Sequence, residues 1–189
     1  MPSGTRSTRG SAAADRYGDL VPLSTRQIVI GRPPAEVFAF VSDPTHDPQW
    51  HDVISVVTPT SQPPLRIGST FDAVYRPQGS SRTYALCAEL TAYEPGRSSE
   101  LEATFADPRG RVPALIGRFV LTFNVAAEGT GTRLTRGVET RGAARRYRLL
   151  WFLLLPVWHI ASSARQEVLL RRIKAILEGA PAAHPVPQY

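Results

Sequence analysis

The sequence offers few residue combinations that are suited to acid–base or metal chemistry. The four histidines are His46, His51, His159 and His184. Two of them, His46 and His51, are five residues apart, with Asp47 and Asp52 next to them. Imidazole and carboxylate groups are common metal ligands, but Pro48 breaks the regular helical spacing that a ligand pair would use. The sequence contains no HExxH motif and no paired Cys/His spacing. We therefore predict no metal site.

Motifs for nucleophilic catalysis and for phosphate binding are also missing. No Gly-x-Ser-x-Gly elbow occurs, and no glycine-rich loop follows a predicted strand. The single cysteine, Cys87, excludes an intramolecular disulfide and a cysteine-cluster metal site. Free cysteines are usually buried, so we expect Cys87 to be a buried, unreactive thiol. No cofactor is predicted.

Positive charge is concentrated near the C-terminal end of a chain whose formal net charge is +6. The basic cluster consists of Arg141, Arg145, Arg146 and Arg148, and it directly precedes an apolar segment, 149–161. Two interpretations remain open: a solvated helix face, or peripheral contact with an anionic membrane. Nucleic acid is not an expected partner, because the sequence has no reader motif and no aromatic residues interleaved with the basic ones.

Alternating apolar residues predict an antiparallel sheet with one apolar face and one wet face. The predicted strands are 24–31, 68–76, 83–93, 99–106, 116–126 and 132–140. In the strand 116–126 the apolar weight favours Phe119, Leu121 and Phe123 on the inner face, which places Arg118 outside. Segments rich in Pro and Gly connect these strands.

Two regions have helical patterns. After the first strand, the Pro33-Pro34 step favours a helical first turn, and a second short helix after Asp47-Pro48 carries Trp50 inward. Near the C-terminus, the apolar segment 149–161 contains Pro156, which predicts a kink, and is too short to span a membrane. The amphipathic segment 161–179 follows, with Gly179 as its C-cap. Its predicted inward residues are Val168, Leu169, Ile173, Ile176 and Leu177.

Composition predicts one folded domain. Residues 1–22 are rich in Ser, Gly, Ala and Arg, and we expect them to be disordered. Residues 23–179 form the predicted folded domain, and residues 180–189 form a Pro-rich tail. No apolar stretch of the secretory kind follows Met1, so we predict a cytoplasmic protein. Oligomeric state is left open.

The stretch PPAEVFAFVSDPTHDPQWHDVI, residues 33–54, resembles the opening of the START-like (SRPBCC) superfamily in its polyketide cyclase/dehydrase-like branch. Gly68 falls where that family has a glycine before the next strand, and the resemblance extends over residues 24–179. It implies an α+β helix-grip fold, in which a curved antiparallel β-sheet wraps around a long C-terminal helix and two short helices follow the first strand. Members include lipid carriers, cyclases, hydrolases and binding proteins, so the fold does not fix the function.

A sheet of this shape is expected to enclose a cavity lined by aromatic and apolar residues. The pocket candidates are Phe38, Trp50, Phe71, Tyr75, Tyr84, Phe105, Phe119, Trp151, Leu155, Trp158 and His159. The leading prediction is binding or carriage of a small hydrophobic molecule, a lipid or a polyketide-like compound. One alternative is a polyketide aromatase/cyclase or dehydratase, with Tyr75, Tyr84 and His159 as acid–base candidates. The other is a membrane-surface lipid-handling protein.

Overall fold

The computed structural model describes residues 20–106, 118–141 and 148–179, and within them the side chains of residues 24–106, 118–141 and 163–179. The first strand, β1, spans Leu20–Ile30. Helix α1 (Pro34–Val41), a 3-10 turn (Pro44–His46) and helix α2 (Asp47–Trp50) follow it. Six strands come next: β2 (Ile54–Pro59), β3 (Thr70–Tyr75), β4 (Tyr84–Glu94), β5 (Ser98–Ala106), β6 (Arg118–Glu128) and β7 (Gly131–Arg141). Helix α3 runs from Arg148 to Leu177.

All seven strands belong to one curved antiparallel sheet in the order β1-β7-β6-β5-β4-β3-β2. The predicted α+β architecture, with the sheet wrapped around a C-terminal helix, is confirmed. Strand β1 begins at Leu20, inside the segment predicted to be disordered, because it pairs with the end of β7 across an irregularity between Pro22 and Ser24. Strand β2 was not predicted, since its residues lack a clean alternation between buried and exposed positions.

Local sequence chemistry explains the helices. Pro34 occupies the first turn of α1, where the missing N–H is not needed. The Asp43 side chain accepts a hydrogen bond from the Thr45 backbone N–H at 2.9 Å, which begins the 3-10 turn that leads into α2. Helix α3 continues through Pro156 and ends at Leu177, and Gly179 just beyond it has a φ of 73°, which suits the predicted C-cap. Within the described parts of the chain, no helix is long and apolar enough to cross a membrane.

The main core lies between the C-terminal half of α3, helix α1 and the β1–β7–β6 side of the sheet. Its largest fully buried members include Ile30, Leu134, Leu169, Leu170 and Ile173. The predicted inward residues Ile176 and Leu177 pack partly buried against this core. Val168 instead borders the cavity between α3 and the sheet and is 48 % exposed. Leu170, which was not among the predicted inward residues, is buried in this core.

Candidate functional site

A cavity of about 1320 Å³ occupies the space between the inner face of the sheet, helix α2 and helix α3. Small-molecule pockets commonly measure about 300–1,000 Å³, so this cavity has room for a lipid or a polycyclic compound. Every strand from β2 to β7 contributes side chains to its wall, and so does the Ala164–Arg172 part of α3. The cavity is therefore a feature of the whole sheet and not of one loop.

Aromatic rings line one side of the cavity. The ring centroid of Phe105 lies 5.1 Å from that of Tyr75, 5.6 Å from that of Phe119 and 6.1 Å from that of Tyr84, each in an edge-to-face arrangement. Edge-to-face packing fixes the orientation of such rings relative to one another. The four rings form a continuous apolar wall, which we call the aromatic wall: Tyr75, Tyr84, Phe105 and Phe119.

Small side chains keep the cavity open on the neighbouring strands. Ala73 on β3, Ala88 on β4 and Ala103 on β5 all point to the inner face and all line the cavity. Register places Ala88 opposite both Phe71 and Ala103. Because alanine projects only a methyl group, the sheet leaves an empty volume here that larger residues would fill.

Six of the predicted pocket residues line the cavity: Trp50, Phe71, Tyr75, Tyr84, Phe105 and Phe119. Phe38 does not. Helix α1 turns Phe38 into the main core, where it is 4 % exposed and its ring centroid lies 5.5 Å from that of Tyr93. The remaining candidates, Trp151, Leu155, Trp158 and His159, belong to α3, but their side chains lie outside the described residues.

Two further expectations concern the outer face of the sheet. Arg118 lies outside as predicted, with its side chain 61 % exposed and hydrogen-bonded to Glu102 at 2.6 Å. The prediction of a buried Cys87 is wrong, because the thiol is exposed. Cys87 lies between Leu86 and Ala88, whose side chains face the cavity, so the alternation of the strand turns Cys87 to the opposite face.

The other side of the cavity contains a buried cation. Arg136 on β7 is 2 % exposed, and its guanidinium carbon lies 5.4 Å from the Trp50 ring centroid and 5.6 Å from that of Phe123. Both rings are close enough for cation–π attraction. Its Nη1 donates a hydrogen bond to Gln166 Oε1 on α3. The two rings and the helix therefore hold the guanidinium in a defined position.

Two titratable side chains from the α2 region line the cavity beside this guanidinium. Burial raises the pKa of Asp47 to about 7, with the charge of Arg136 opposing part of that rise and Asp43 adding to it. Burial also holds the pKa of His51 well below its ordinary value, and the positive charges of Arg136, Arg165 and Arg172 act in the same direction. His51 is therefore neutral near pH 7, and Asp47 titrates there.

Burial acts on the guanidinium as well. It lowers the pKa of Arg136 to about 10, against the favourable charge of Asp47. The side chain remains a cation at neutral pH. We call Asp47, His51, Arg136 and Gln166 the polar corner of the cavity.

A third polar group bridges separate elements at the cavity wall. Asp52, in the loop after α2, accepts a hydrogen bond from Arg165 of α3 at 2.6 Å and one from Gln78 of the β3–β4 loop at 2.5 Å. All three residues line the cavity. The carboxylate therefore connects the helix to both loops beside the cavity.

Sequence reasoning did not find the polar corner, although β7 contains a pattern that indicates it. Leu134, Arg136 and Val138 occupy successive positions on the same face of the strand, and the apolar members mark that face as the inner one. An arginine on the inner face of a strand is expected to be buried, and fully buried arginines are rare. Asp47 and His51 were considered only as metal ligands, and Gln166 was not considered.

A seven-stranded antiparallel sheet around a C-terminal helix, with a large internal cavity, defines a helix-grip protein of the START-like kind. A family model described as "Polyketide cyclase / dehydrase and lipid transport" matches residues 23–178, so the chain belongs to that family. The predicted recognition is thereby confirmed, and so is the predicted functional class, hydrophobic-ligand binding, with the enzyme alternative still open.

Solved structures agree on the fold. The chain is similar to Ara h 8.0201, with a TM-score of 0.59 and 12% identity over 85% of this chain and 99% of that chain. It is similar to the di-domain ARO/CYC StfQ from the steffimycin biosynthetic pathway, with a TM-score of 0.63 and 12% identity over 88% of this chain and 53% of that chain. Protein Ms6760 from Mycobacterium smegmatis gives a TM-score of 0.56 and 21% identity over 85% of this chain and 91% of that chain. No curated protein matches the chain significantly.

Proposed function

We propose that the protein binds and carries a small hydrophobic molecule, of lipid or polyketide-like type, inside the cavity. The observation that carries this proposal is the cavity of about 1320 Å³ with its aromatic wall and the neighbouring alanines Ala73, Ala88 and Ala103. Burying apolar surface of a ligand contributes roughly 25 cal/mol per Å², so a ligand that covers the aromatic wall gains affinity without any polar contact. Membership of a family that includes lipid transport supports the same conclusion.

A thermal-shift experiment tests the proposal. Fatty acids and polycyclic aromatic compounds should raise the melting temperature, because a ligand that binds only the folded state stabilises it by about 2.7 kcal/mol at a concentration of 100 times Kd. The variant Leu121→Trp should abolish the shift, since Leu121 lines the cavity and the larger ring would occupy it. Val56→Trp adds the same ring at a half-exposed position of β2 and serves as the control. A broad panel that leaves the melting temperature of the wild type unchanged would contradict the proposal.

The second candidate function is catalysis, as a polyketide aromatase/cyclase or dehydratase. It is favoured by Asp47, whose pKa of about 7 is suited to a general acid or base at neutral pH. Tyr75 and Tyr84 offer hydroxyl groups on the opposite wall, and His159 stays a candidate outside the described side chains. Incubation with linear poly-β-keto substrates and mass analysis of the products tests this function. Turnover by the wild type that Asp47→Asn removes would support it, and the absence of any dehydrated or cyclised product would count against it.

Peripheral contact with an anionic membrane stays a prediction for the basic cluster. Arg141 does not present a free charge, because its guanidinium hydrogen-bonds to Glu102 at 2.7 Å and lies 3.9 Å from a carboxylate oxygen of Glu100. The side chains of Arg145, Arg146 and Arg148 lie outside the described residues. Flotation with phosphatidylserine vesicles tests the prediction, and replacing these three arginines by glutamine should abolish flotation if it is correct. A cytoplasmic location and the absence of a nucleic-acid partner are predictions as well.

A further inference from the structure

We propose that the hydrophobic ligand carries a compact anionic oxygen group, such as a carboxylate, which binds to Arg136 at the polar corner while the apolar body lies along the aromatic wall. This inference rests on the proposed function and specifies the class of ligand. It follows from three features of the cavity: an unpaired buried charge, unpaired buried donors and an excess of positive charge.

The charge of Arg136 has no carboxylate partner. Among the described residues its guanidinium forms no ion pair, and it contacts two aromatic rings and the neutral side-chain oxygen of Gln166. Buried charges in proteins are normally paired, because removing a lone ion from water is expensive. Asp47 is near enough to influence Arg136, but a pKa of about 7 leaves that carboxyl only partly ionised at neutral pH. A ligand anion would supply the missing partner.

Hydrogen-bond donors at the same corner also lack acceptors. Trp50 Nε1 and Arg136 Nε are both fully buried, and neither has a hydrogen-bond partner within the described part of the chain. Both residues line the cavity, and the Arg136 guanidinium lies over the Trp50 ring. Indole Nε1 can only donate, and guanidinium nitrogens can only donate. Because neither nitrogen has surface open to the cavity, a ligand reaches them only when these side chains shift. The group that then satisfies the donors must be an acceptor, and charge-assisted bonds to an anionic oxygen are the strongest of that kind.

The described part of the cavity wall carries an excess of positive charge. Its described lining includes three arginines (Arg136, Arg165 and Arg172) and two aspartates (Asp47 and Asp52). Asp52 is already occupied by Arg165 and Gln78. Arg172 forms no hydrogen bond or ion pair with any described residue. A cationic ligand would be repelled here, and an anionic one would be attracted.

The register of the sheet places the apolar wall next to this charge. Arg136 pairs with Phe123 across β6 and β7, and Phe123, Leu121 and Phe119 then follow one another along the inner face. Four residues of strand span roughly 13 Å. The anionic group of a ligand can therefore contact Arg136 while its apolar part extends along β6 towards the aromatic wall.

Two fluorescent probes that differ only in the end group test the proposal: pyrenebutyrate, a carboxylate, and pyrenebutanol, an alcohol. Titration at neutral pH should show that the wild type binds both and binds the carboxylate at least about tenfold more tightly, as expected for hydrogen bonds to a charged group. Gln166→Glu places a carboxylate of nearly the same shape next to Arg136. This variant should lose the preference for pyrenebutyrate and keep the affinity for pyrenebutanol. Arg136→Met should do the same.

The control is Arg118→Gln, which removes an arginine from the outer face of the neighbouring strand and should leave the preference intact. Equal affinity of the wild type for both probes would overturn the inference and leave the proposed function standing. Retention of the preference in folded Gln166→Glu would overturn it as well, because the binding anion would then contact another group. If neither probe binds the wild type, the proposed function itself fails. Should Arg136→Met not fold, the wild-type ratio and Gln166→Glu decide the question.

Discussion

The inner face of the sheet is apolar at both ends, but one end is packed against helices and the other borders the cavity. We call them the filled end and the hollow end. At the filled end, Ile30 and Leu134 are 0 % exposed beneath Leu169 and Ile173 of α3. At the hollow end, the inner faces of β3, β4 and β5 border a cavity of about 1320 Å³. Both ends are apolar, so apolar character alone does not decide which end is packed.

Side-chain size and the position of the helices decide it. At the filled end, α1 and the last turns of α3 bring leucine, isoleucine and phenylalanine side chains into contact with the sheet. At the hollow end, the inner positions of three adjacent strands include Ala73, Ala88 and Ala103. Dense packing requires side chains of matching volume on facing elements. Ala88 and Ala103 are themselves packed against Phe71, and the small volume of these alanines leaves space beyond them for a ligand.

Trp50 lies at the border between the two ends, and its removal should have the largest effect on stability. The ring is 2 % exposed, belongs to the main core, packs edge-to-face with Phe123 at 6.2 Å and lies beneath the Arg136 guanidinium. Trp50→Ala should lower the free energy of unfolding by about 3–5 kcal/mol, as for other large-to-small core changes. Urea denaturation measures this loss. Near wild-type stability combined with altered ligand uptake would show that Trp50 belongs to the hollow end only.

A matched pair of leucines tests the comparison itself. Leu134→Ala at the filled end should cost about 2–5 kcal/mol, because the surrounding core collapses only partly into the space created. Leu121→Ala removes the same atoms at the hollow end, where they already face the cavity, and should cost less than about 1.5 kcal/mol. The second variant should weaken binding of hydrophobic probes, whereas the first should not. Equal losses of stability in urea denaturation would mean that the cavity wall is packed as tightly as the core.

Much of this arrangement could be predicted from the sequence. The period-two pattern correctly assigned the cavity-facing side of Phe119, Leu121 and Phe123, because a strand turns alternate residues to opposite faces. The pattern did not show which inward residues face empty space. Phe38 was expected in the pocket and packs in the core, since its environment depends on how α1 sits against the sheet. The apolar alternation of β7 does not by itself indicate Arg136, because a charged residue on the inner face interrupts that pattern.

The polar corner should add a pH dependence that the filled end lacks. A pKa of about 7 for Asp47 in the folded state, against an ordinary value of 3.8, means that the folded protein holds this proton more tightly than the unfolded chain. The stability contributed by Asp47 should therefore be complete below about pH 4 and decline as pH rises to about 7. Asp47→Asn should accordingly gain stability relative to the wild type over that range. We expect a change of about 1–2 kcal/mol, because one pKa unit corresponds to about 1.4 kcal/mol and solvent reduces the full effect.

The pH dependence of stability that His51 contributes has the opposite sign, so the contributions of the two groups must be measured separately. Its lowered pKa means that the unfolded chain takes up a proton below about pH 6.5 that the folded state rejects. Stability from His51 therefore falls as pH decreases. Urea denaturation across the pH range should be compared between His51→Gln and His51→Gln combined with Asp47→Asn. A difference between the two that does not vary with pH would show that Asp47 has an ordinary pKa.

The smallest expected effect on stability concerns Asp52, which connects the elements around the hollow end. Asp52→Asn should weaken its contact with Arg165 and lower the free energy of unfolding by only about 0.2–1 kcal/mol, as for other partly exposed ion pairs.

The same variant should have a larger effect on the rate at which a ligand enters the cavity. The contacts with Arg165 and Gln78 join α3 to two loops beside the cavity, so loosening them should speed the entry of a hydrophobic probe, as stopped-flow fluorescence measures. Glu167→Gln breaks an exposed ion pair with Arg171 on the same helix, and neither residue lines the cavity. That control should leave the entry rate unchanged. If both variants bind the probe at the wild-type rate, ligand enters elsewhere and the Asp52 bridge is structural only.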